Sequence, residues 1–326
     1  MSNSHEILET KKSSDESDVL SITGAFRSML KSLSSSGDEQ QTLHADYDES
    51  EEYKFDHKRR GLALVIINEK FRGHAPREGS QIDASRLSDT FSLLGFEVRL
   101  VKDCTLEELR CILKGIAEED HTDADCFVLA ISSHGDEIIQ KLPKDKKQVR
   151  QDVVFCTDFF MQTRDLVFAF SDSQCPTLTG KPRLFFIQAC RGSQLDPGQD
   201  MEVFQSTLDE VDGFPDAKVI VSPAPLFKDC LIMYATPPGY FAFRRPKDGS
   251  WFIQALCSVL ENCDGTKTIL QLLTRVTQKV TQEFMSRTPL NYETDCKKQT
   301  PCLYSMLTKD LLLKAAHQSG QILVWS

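Results

Sequence analysis

Five short runs of β-branched and aromatic residues limit what this chain can fold into: GLALVIIN (61–68), EVRLV (97–101), DCFVLAI (125–131), RLFFI (183–187) and DCLIMYA (229–235). All five are short and rich in strand-forming residues, the look of strands buried on both faces, although EVRLV carries the charged Glu97 and Arg99 between its apolar residues. Between them the apolar spacing changes to helical. Ala84, Leu87, Phe91 and Leu94 mark one helix, and Leu106, Leu109, Leu113 and Ile116 a second, opened by a Thr105-x-x-Glu108 capping box. Further helices fit Phe252 to Leu260 and Ile269 to Phe284. Strands and helices in alternation predict an α/β domain with a mainly parallel central sheet and helices on both faces.

Two stretches interrupt this order and read as long loops: residues 136–165, with the basic insertion KLPKDKKQVR (141–150), and residues 193–228. Residues 1–60 form a Ser- and acid-rich leader, with ten acids against four bases up to Ser50. Within the leader, Val19, Leu20, Ile22, Phe26, Met29, Leu30 and Leu33 recur at helical spacing, a short amphipathic segment.

Composition narrows the function. With 38 basic and 48 acidic side chains the chain carries a net charge of -10, which repels phosphate backbones and argues against nucleic acid. No apolar run reaches the roughly 18 residues of a spanning helix, and the N-terminus lacks the pattern of a secretory signal, so no membrane partner and a cytoplasmic location are expected. Eleven cysteines without a C-x-x-C pair read as reduced thiols, with no disulfide frame, no metal site and no cofactor.

Two of the strands run into residues that chemistry can use. DCFVLAI leads to Ser132-Ser133-His134-Gly135, and RLFFI leads to Gln188-Ala189-Cys190-Arg191-Gly192. Both pairs follow strand C-termini, the edge where sites form in open α/β sheets. A cysteine nucleophile needs a neighbouring base, and a histidine on an adjacent strand can take its proton and later protonate the leaving group. A cysteine after an apolar run is by itself more often an inert core thiol. The string QACRG, with His134 standing 56 residues before Cys190, changes that balance.

On these motifs the chain resembles a caspase, of the effector (executioner) type with a short pro-peptide. The similarity extends through REGSQIDASRLSDTFSLLGFEV, SSHG, LTGKPRLFFIQACRG, ATPPGYFAFRRPKDGSWFIQALC and KKQTPCLYSMLTKDL, in order, over roughly Tyr53 to Leu313. The resemblance implies the caspase-like three-layer sandwich, with large and small subunits cut from one chain: 1–46 a flexible acidic pro-peptide, 47–212 the large subunit with the start of the linker, and 213–326 the small subunit with the linker remainder and C-terminal tail. It implies Cys190 as nucleophile, His134 as acid/base oriented by the Ala75 carbonyl, and the Gly135 and Cys190 amides as oxyanion hole. Arg77, Gln188 and Arg244 match the trio that holds the substrate aspartate, a role suited to forked, permanently charged donors. Ser133 is counted with the substrate-binding residues, Phe241 and Phe243 with the next pocket, and Trp251 with a more distant one. Arg245 would favour an acidic residue three positions before the cleaved aspartate.

The resemblance also implies a zymogen. Asp209-Glu210-Val211-Asp212-Gly213 spells an effector-caspase cleavage sequence inside the long loop, predicting a cut after Asp212, and Asp18 and Asp46 are the better candidates for leader removal. The implied partners are protein substrates with aspartate at the cleaved bond, an upstream initiator caspase, inhibitor-of-apoptosis proteins, and a second large/small pair in a homodimer joined through PCLYSMLT (301–308). The alternative is a catalytically weak or inactive homologue that regulates active caspases by dimerisation. One departure stands out: the family places a glycine soon after the acids that follow the histidine, where this chain reads SHGDEIIQ and enters its basic insertion.

Overall fold

A computed structural model describes residues 50–141, 148–197, 228–314 and 320–325. Residues 1–49 of the leader, with the amphipathic segment, Asp18 and Asp46, lie outside the described residues, as do most of the basic insertion and the acidic string ending at Asp212. Residues 50–60 are described and dock on the domain, with the Tyr53 hydroxyl donating to Asp229 at 2.7 Å.

All five expected strands form, as β1 (Leu62–Ile67), β2 (Glu97–Lys102), β3 (Phe127–Ser132), β7 (Arg183–Gln188) and β8 (Cys230–Tyr234). With β12 (Cys302–Ser305) and β14 (Ile322–Trp325) they make one sheet in the order β12-β8-β7-β3-β1-β2-β14. Every neighbouring pair is parallel except β12 with β8, so the mainly parallel reading is correct. Every residue of β1, β3, β7 and β8 is buried, as continuous apolar runs require.

Side chains alternate between the two sheet faces and feed two cores. Ala63, Val65, Ile67, Val128 and Phe186 pack beneath α1 (Ser80–Leu93), α4 (Trp251–Leu260) and α5 (Ile269–Glu283). Leu62, Leu64, Ile66, Leu129 and Phe185 pack beneath α2 (Leu106–Ala117) and α3 (Thr163–Phe168). Each fully buried aliphatic or aromatic side chain contributes about 1.5–3 kcal/mol. Helix α2 begins at the expected capping box: the Thr105 hydroxyl accepts from the Glu108 N–H at 3.3 Å, and the Glu108 carboxylate accepts from the Thr105 N–H at 2.8 Å. Among the described residues no helix is long and apolar enough to cross a membrane.

The stretch 136–165 is a correction. It is not a long loop but a second sheet, built from β4 (Gly135–Lys141), β5 (Gln148–Phe155) and β6 (Phe160–Gln162) in antiparallel order. A cross-strand ion pair between Arg150 and Glu137 stabilises it, and the Thr163 hydroxyl donates to the Asp152 carbonyl at 2.7 Å. Two small antiparallel ribbons complete the fold, β9 (Arg244–Arg245) with β10 (Gly249–Ser250) and β11 (Asp264–Thr268) with β13 (Leu312–Lys314).

Candidate active site

Strand register brings the two reactive side chains to one edge. β3 and β7 are neighbours with Ser132 level with Gln188, and His134 and Cys190 each stand two residues beyond those partners. Gly135 lies against the Cys190 backbone so closely that a Cβ there would fall 2.5 Å from the Cys190 carbonyl oxygen, and only glycine permits that approach.

His134 Nε2 is 2.9 Å from the Ala75 carbonyl oxygen, the partner the resemblance implies. A carbonyl only accepts, so Nε2 carries the proton and Nδ1 keeps a lone pair. The Phe71 ring packs on the imidazole at 4.6 Å, and a second imidazole, His74, lies 6.0 Å away. Burial lowers the His134 pKa, the Ala75 hydrogen bond opposes this, and the positive charges of Arg77, His74 and Arg244 lower it further. Burial pushes the Cys190 thiol up, while the Ala242 N–H, 3.5 Å from Sγ, and the guanidinium of Arg77 partly offset the rise. Sγ also donates to the Ala242 carbonyl at 3.7 Å. Both directions favour the neutral forms, thiol and imidazole, near neutral pH.

Beside the thiol lie two guanidinium groups without counter-ions. Arg77 is 3% exposed, yet its hydrogen bonds run only to neutral groups: Nη1 to the Asn68 carbonyl and the Ser80 hydroxyl, both at 3.3 Å, and Nη2 to the Ser132 hydroxyl at 3.1 Å. Burial brings its pKa down to about 10, against the opposing charge of Asp83, and Arg244 lowers it again. Arg244 is half-buried and its Nη1, inaccessible to solvent, has no partner. Gln188 is 2% exposed and its Oε1 is likewise unpartnered. Among the described residues neither arginine forms an ion pair. Buried polar atoms are rarely left unpaired, so this cluster marks a place built for a ligand.

The flanking aromatic groups divide. Phe241 is exposed and Phe243 half-buried, the latter stacked on Trp251 with centroids 4.7 Å apart. Trp251 is 1% exposed, opens α4 and is sandwiched between Phe243 and Phe284. The Ser133 hydroxyl donates to the Phe155 carbonyl at 2.5 Å and so ties the end of β3 to the end of β5. Arg245 is exposed, with its guanidinium 5.8 Å from the Trp251 ring and donating to the Met285 carbonyl at 3.5 Å.

Three residues that sequence reasoning passed over support the site. Asp83 is buried on the inner face of α1 and bonded to Ser132 and Ser250. Arg191, 3% exposed, donates to Asp152 at 2.6 Å and stacks 3.8 Å over the Tyr234 ring. Gln299 bridges the Phe243 N–H, at 2.6 Å, and the Ala235 carbonyl, at 2.8 Å. An acid sharing a helix face with Ala84 and Leu87 was the one signal available for Asp83.

A family model described as Caspase domain matches residues 60–312, spanning every element of this site. The chain belongs to the caspase family. Caspase-3 of Mesocricetus auratus is 40% identical over 262 residues, which cover 79% of this chain and 86% of that protein. Caspase-7 of Gallus gallus is 39% identical over 265 residues, 80% of this chain and 79% of the relative. Among solved structures, the crystal structure of caspase-1 from Spodoptera frugiperda superposes with a TM-score of 0.68 at 34% identity, covering 81% of this chain and 93% of that one. As a caspase the chain is a cysteine-type peptidase, and its central sheet flanked by helices is the caspase fold.

Proposed function

We propose that this caspase is an effector-type endopeptidase that cleaves proteins after aspartate, at DEVD-like sites. The observation that carries the reading is the cluster of Arg77, Arg244 and Gln188: two neighbouring guanidinium groups and an amide, with no carboxylate of the chain bonded to them. A substrate carboxylate supplies the missing charge and acceptors, with Arg77 and Arg244 as forked donors. A neutral or amide side chain leaves those donors desolvated and unpaired.

In this reading Nδ1 of His134 takes the proton from Cys190 as sulfur attacks the scissile carbonyl carbon. The Gly135 and Cys190 amides receive the oxyanion, a contribution on the order of 10² to 10³ in turnover per donor. The imidazolium then protonates the leaving amine, and the acyl-enzyme is hydrolysed by a water whose proton returns to Nδ1. Arg245, exposed beside these residues, favours an acidic side chain earlier in the substrate. Phe241 and Phe243 receive the residue before the aspartate.

Activation proceeds by cuts after Asp212 and in the leader at Asp18 or Asp46, made by an upstream initiator caspase and separating residues 47–212 from 213–326. Among the described residues β12 is the outermost strand of the sheet, which suits pairing with a second copy across a two-fold axis. The proposed setting is apoptosis in the cytoplasm, under inhibitor-of-apoptosis proteins. Fluorophore release from a DEVD peptide tests the reading: the wild type cuts, the Cys190→Ala variant does not, and the active preparation carries a new N-terminus at Gly213. A processed, folded wild type that leaves the peptide intact favours the inactive regulator instead.

A further inference from the structure

One buried carboxylate joins the two arginine-bearing segments of the pocket. Asp83 is 1% exposed on α1. Its Oδ1 accepts the Ser250 main-chain N–H at 2.8 Å; its Oδ2 accepts the Ser250 hydroxyl at 2.5 Å and the Ser132 hydroxyl at 2.8 Å. Ser132 has a single proton, given to Asp83, so its lone pairs face Nη2 of Arg77, 3.1 Å away. Ser250 is the register partner of Arg244 across β9 and β10. Asp83 therefore reaches Arg77 through one serine and the strand that carries Arg244 through another.

We propose that Asp83 is a positioning residue for recognition of the substrate aspartate, holding Ser132 as an acceptor toward Arg77 and fixing the ribbon that carries Arg244. The inference rests on the aspartate-specific reading above. Asp83 is the opposing charge felt most strongly by both guanidinium groups, yet it stands outside ion-pair distance of either, so it balances them without occupying the donors a ligand needs. A direct Asp83–Arg77 pair would fill the pocket from within.

Asparagine keeps the shape of Asp83 and inverts part of its polarity. The Ser250 N–H demands an acceptor at the Oδ1 position, so the amide NH₂ falls at Oδ2 and donates to Ser132. The Ser132 proton then loses its carboxylate acceptor and competes with Arg77 for the side of the hydroxyl that faced it.

The test uses the full chain as wild type, Asp83→Asn and Ser132→Ala, with kcat and KM for an aspartate-ended tetrapeptide and its asparagine analogue. Alkylation of Cys190 by iodoacetamide and a thermal melt accompany each. For Asp83→Asn, KM for the aspartate peptide rises about tenfold, as losing a hydrogen bond to a charged group implies, and selectivity over asparagine falls by a similar factor, while kcat and alkylation change less than about threefold. Ser132→Ala leaves the Ser250 bonds intact and raises KM by about three- to tenfold; should Asp83→Asn fail to fold, this variant decides. Folded variants that keep wild-type KM and selectivity overturn the inference, as do variants whose KM, kcat and alkylation all decline together. A wild type that does not cut the aspartate peptide overturns the functional reading first, and this inference with it.

Discussion

Burial moves the two proposed reactive groups in opposite directions, raising the Cys190 thiol and lowering the His134 imidazole. The neutral imidazole is the form that takes the proton, so activity disappears when His134 is protonated. Because its folded pKa lies below the usual 6.5, kcat/KM should persist as pH falls through 6.5 and decline only below it. A pH profile whose acid limb has its midpoint above 6.5 contradicts this electrostatic account. Arg191, adjacent to the thiol in sequence, has a different task. It is buried, ion-paired to Asp152 and stacked on Tyr234, so Arg191→Ala strands a buried carboxylate and should cost about 3–5 kcal/mol in a denaturant titration. An unchanged midpoint would show the pair to be dispensable. At this scale Cys190, His134, Arg77, Gln188 and Arg244 were legible because each sits in a short motif. Asp83 and Ser132 were not, since what makes them matter is a chain of hydrogen bonds between α1, β3 and β10 that no local pattern encodes.

Elements were legible in proportion to how completely they are buried. β1, β3, β7 and β8 announced themselves by their apolar runs, β2 by a shorter run that Glu97 and Arg99 interrupt, and α2 by its capping box. The β4–β5 hairpin did not, because its strands carry charged residues such as Asp136, Glu137, Arg150 and Asp152 and derive their order from pairing and from contacts to β3. The C-terminal segment QILVWS reads in sequence only as an apolar patch that must pack somewhere. It forms β14, which pairs in parallel with the edge strand β2 and covers that edge. Its entry is specific: the Gly320 N–H donates to the Ser92 carbonyl at 2.7 Å, the Ser92 hydroxyl donates back to the Gly320 carbonyl at 2.6 Å, and a Cβ on Gly320 would fall 1.8 Å from the Phe96 carbonyl oxygen. Arg99, ion-paired to Glu97 and Glu119, lies 4.9 Å over the Trp325 ring. Deleting residues 320–326 should therefore lower the melting temperature by several degrees, about 2–4 °C for each kcal/mol lost in a chain of this size, and Gly320→Val should reproduce the drop. A truncated protein that melts with the full chain would show that the strand contributes nothing.

For the whole molecule, strands buried on both faces require helices above and below, and that requirement makes the three-layer architecture readable in the sequence. The sheet's two outer strands were less accessible to that logic. β12 is antiparallel and only half-buried, and β14, although wholly apolar in sequence, is exposed and joins a strand more than 200 residues away in the chain, a pairing that no local pattern encodes. What the architecture achieves is to deliver a thiol, an imidazole and a pair of guanidinium groups that form no ion pair among the described residues to one edge of the sheet from four separate parts of the chain. The most direct test of that claim is the ratio of kcat/KM for two peptides identical except for aspartate or asparagine at the cleaved bond. A pocket whose buried donors wait for a carboxylate predicts a ratio of about 10⁴ or more in favour of aspartate. A ratio within about tenfold of unity would mean that Arg77, Gln188 and Arg244 do not read the substrate's charge.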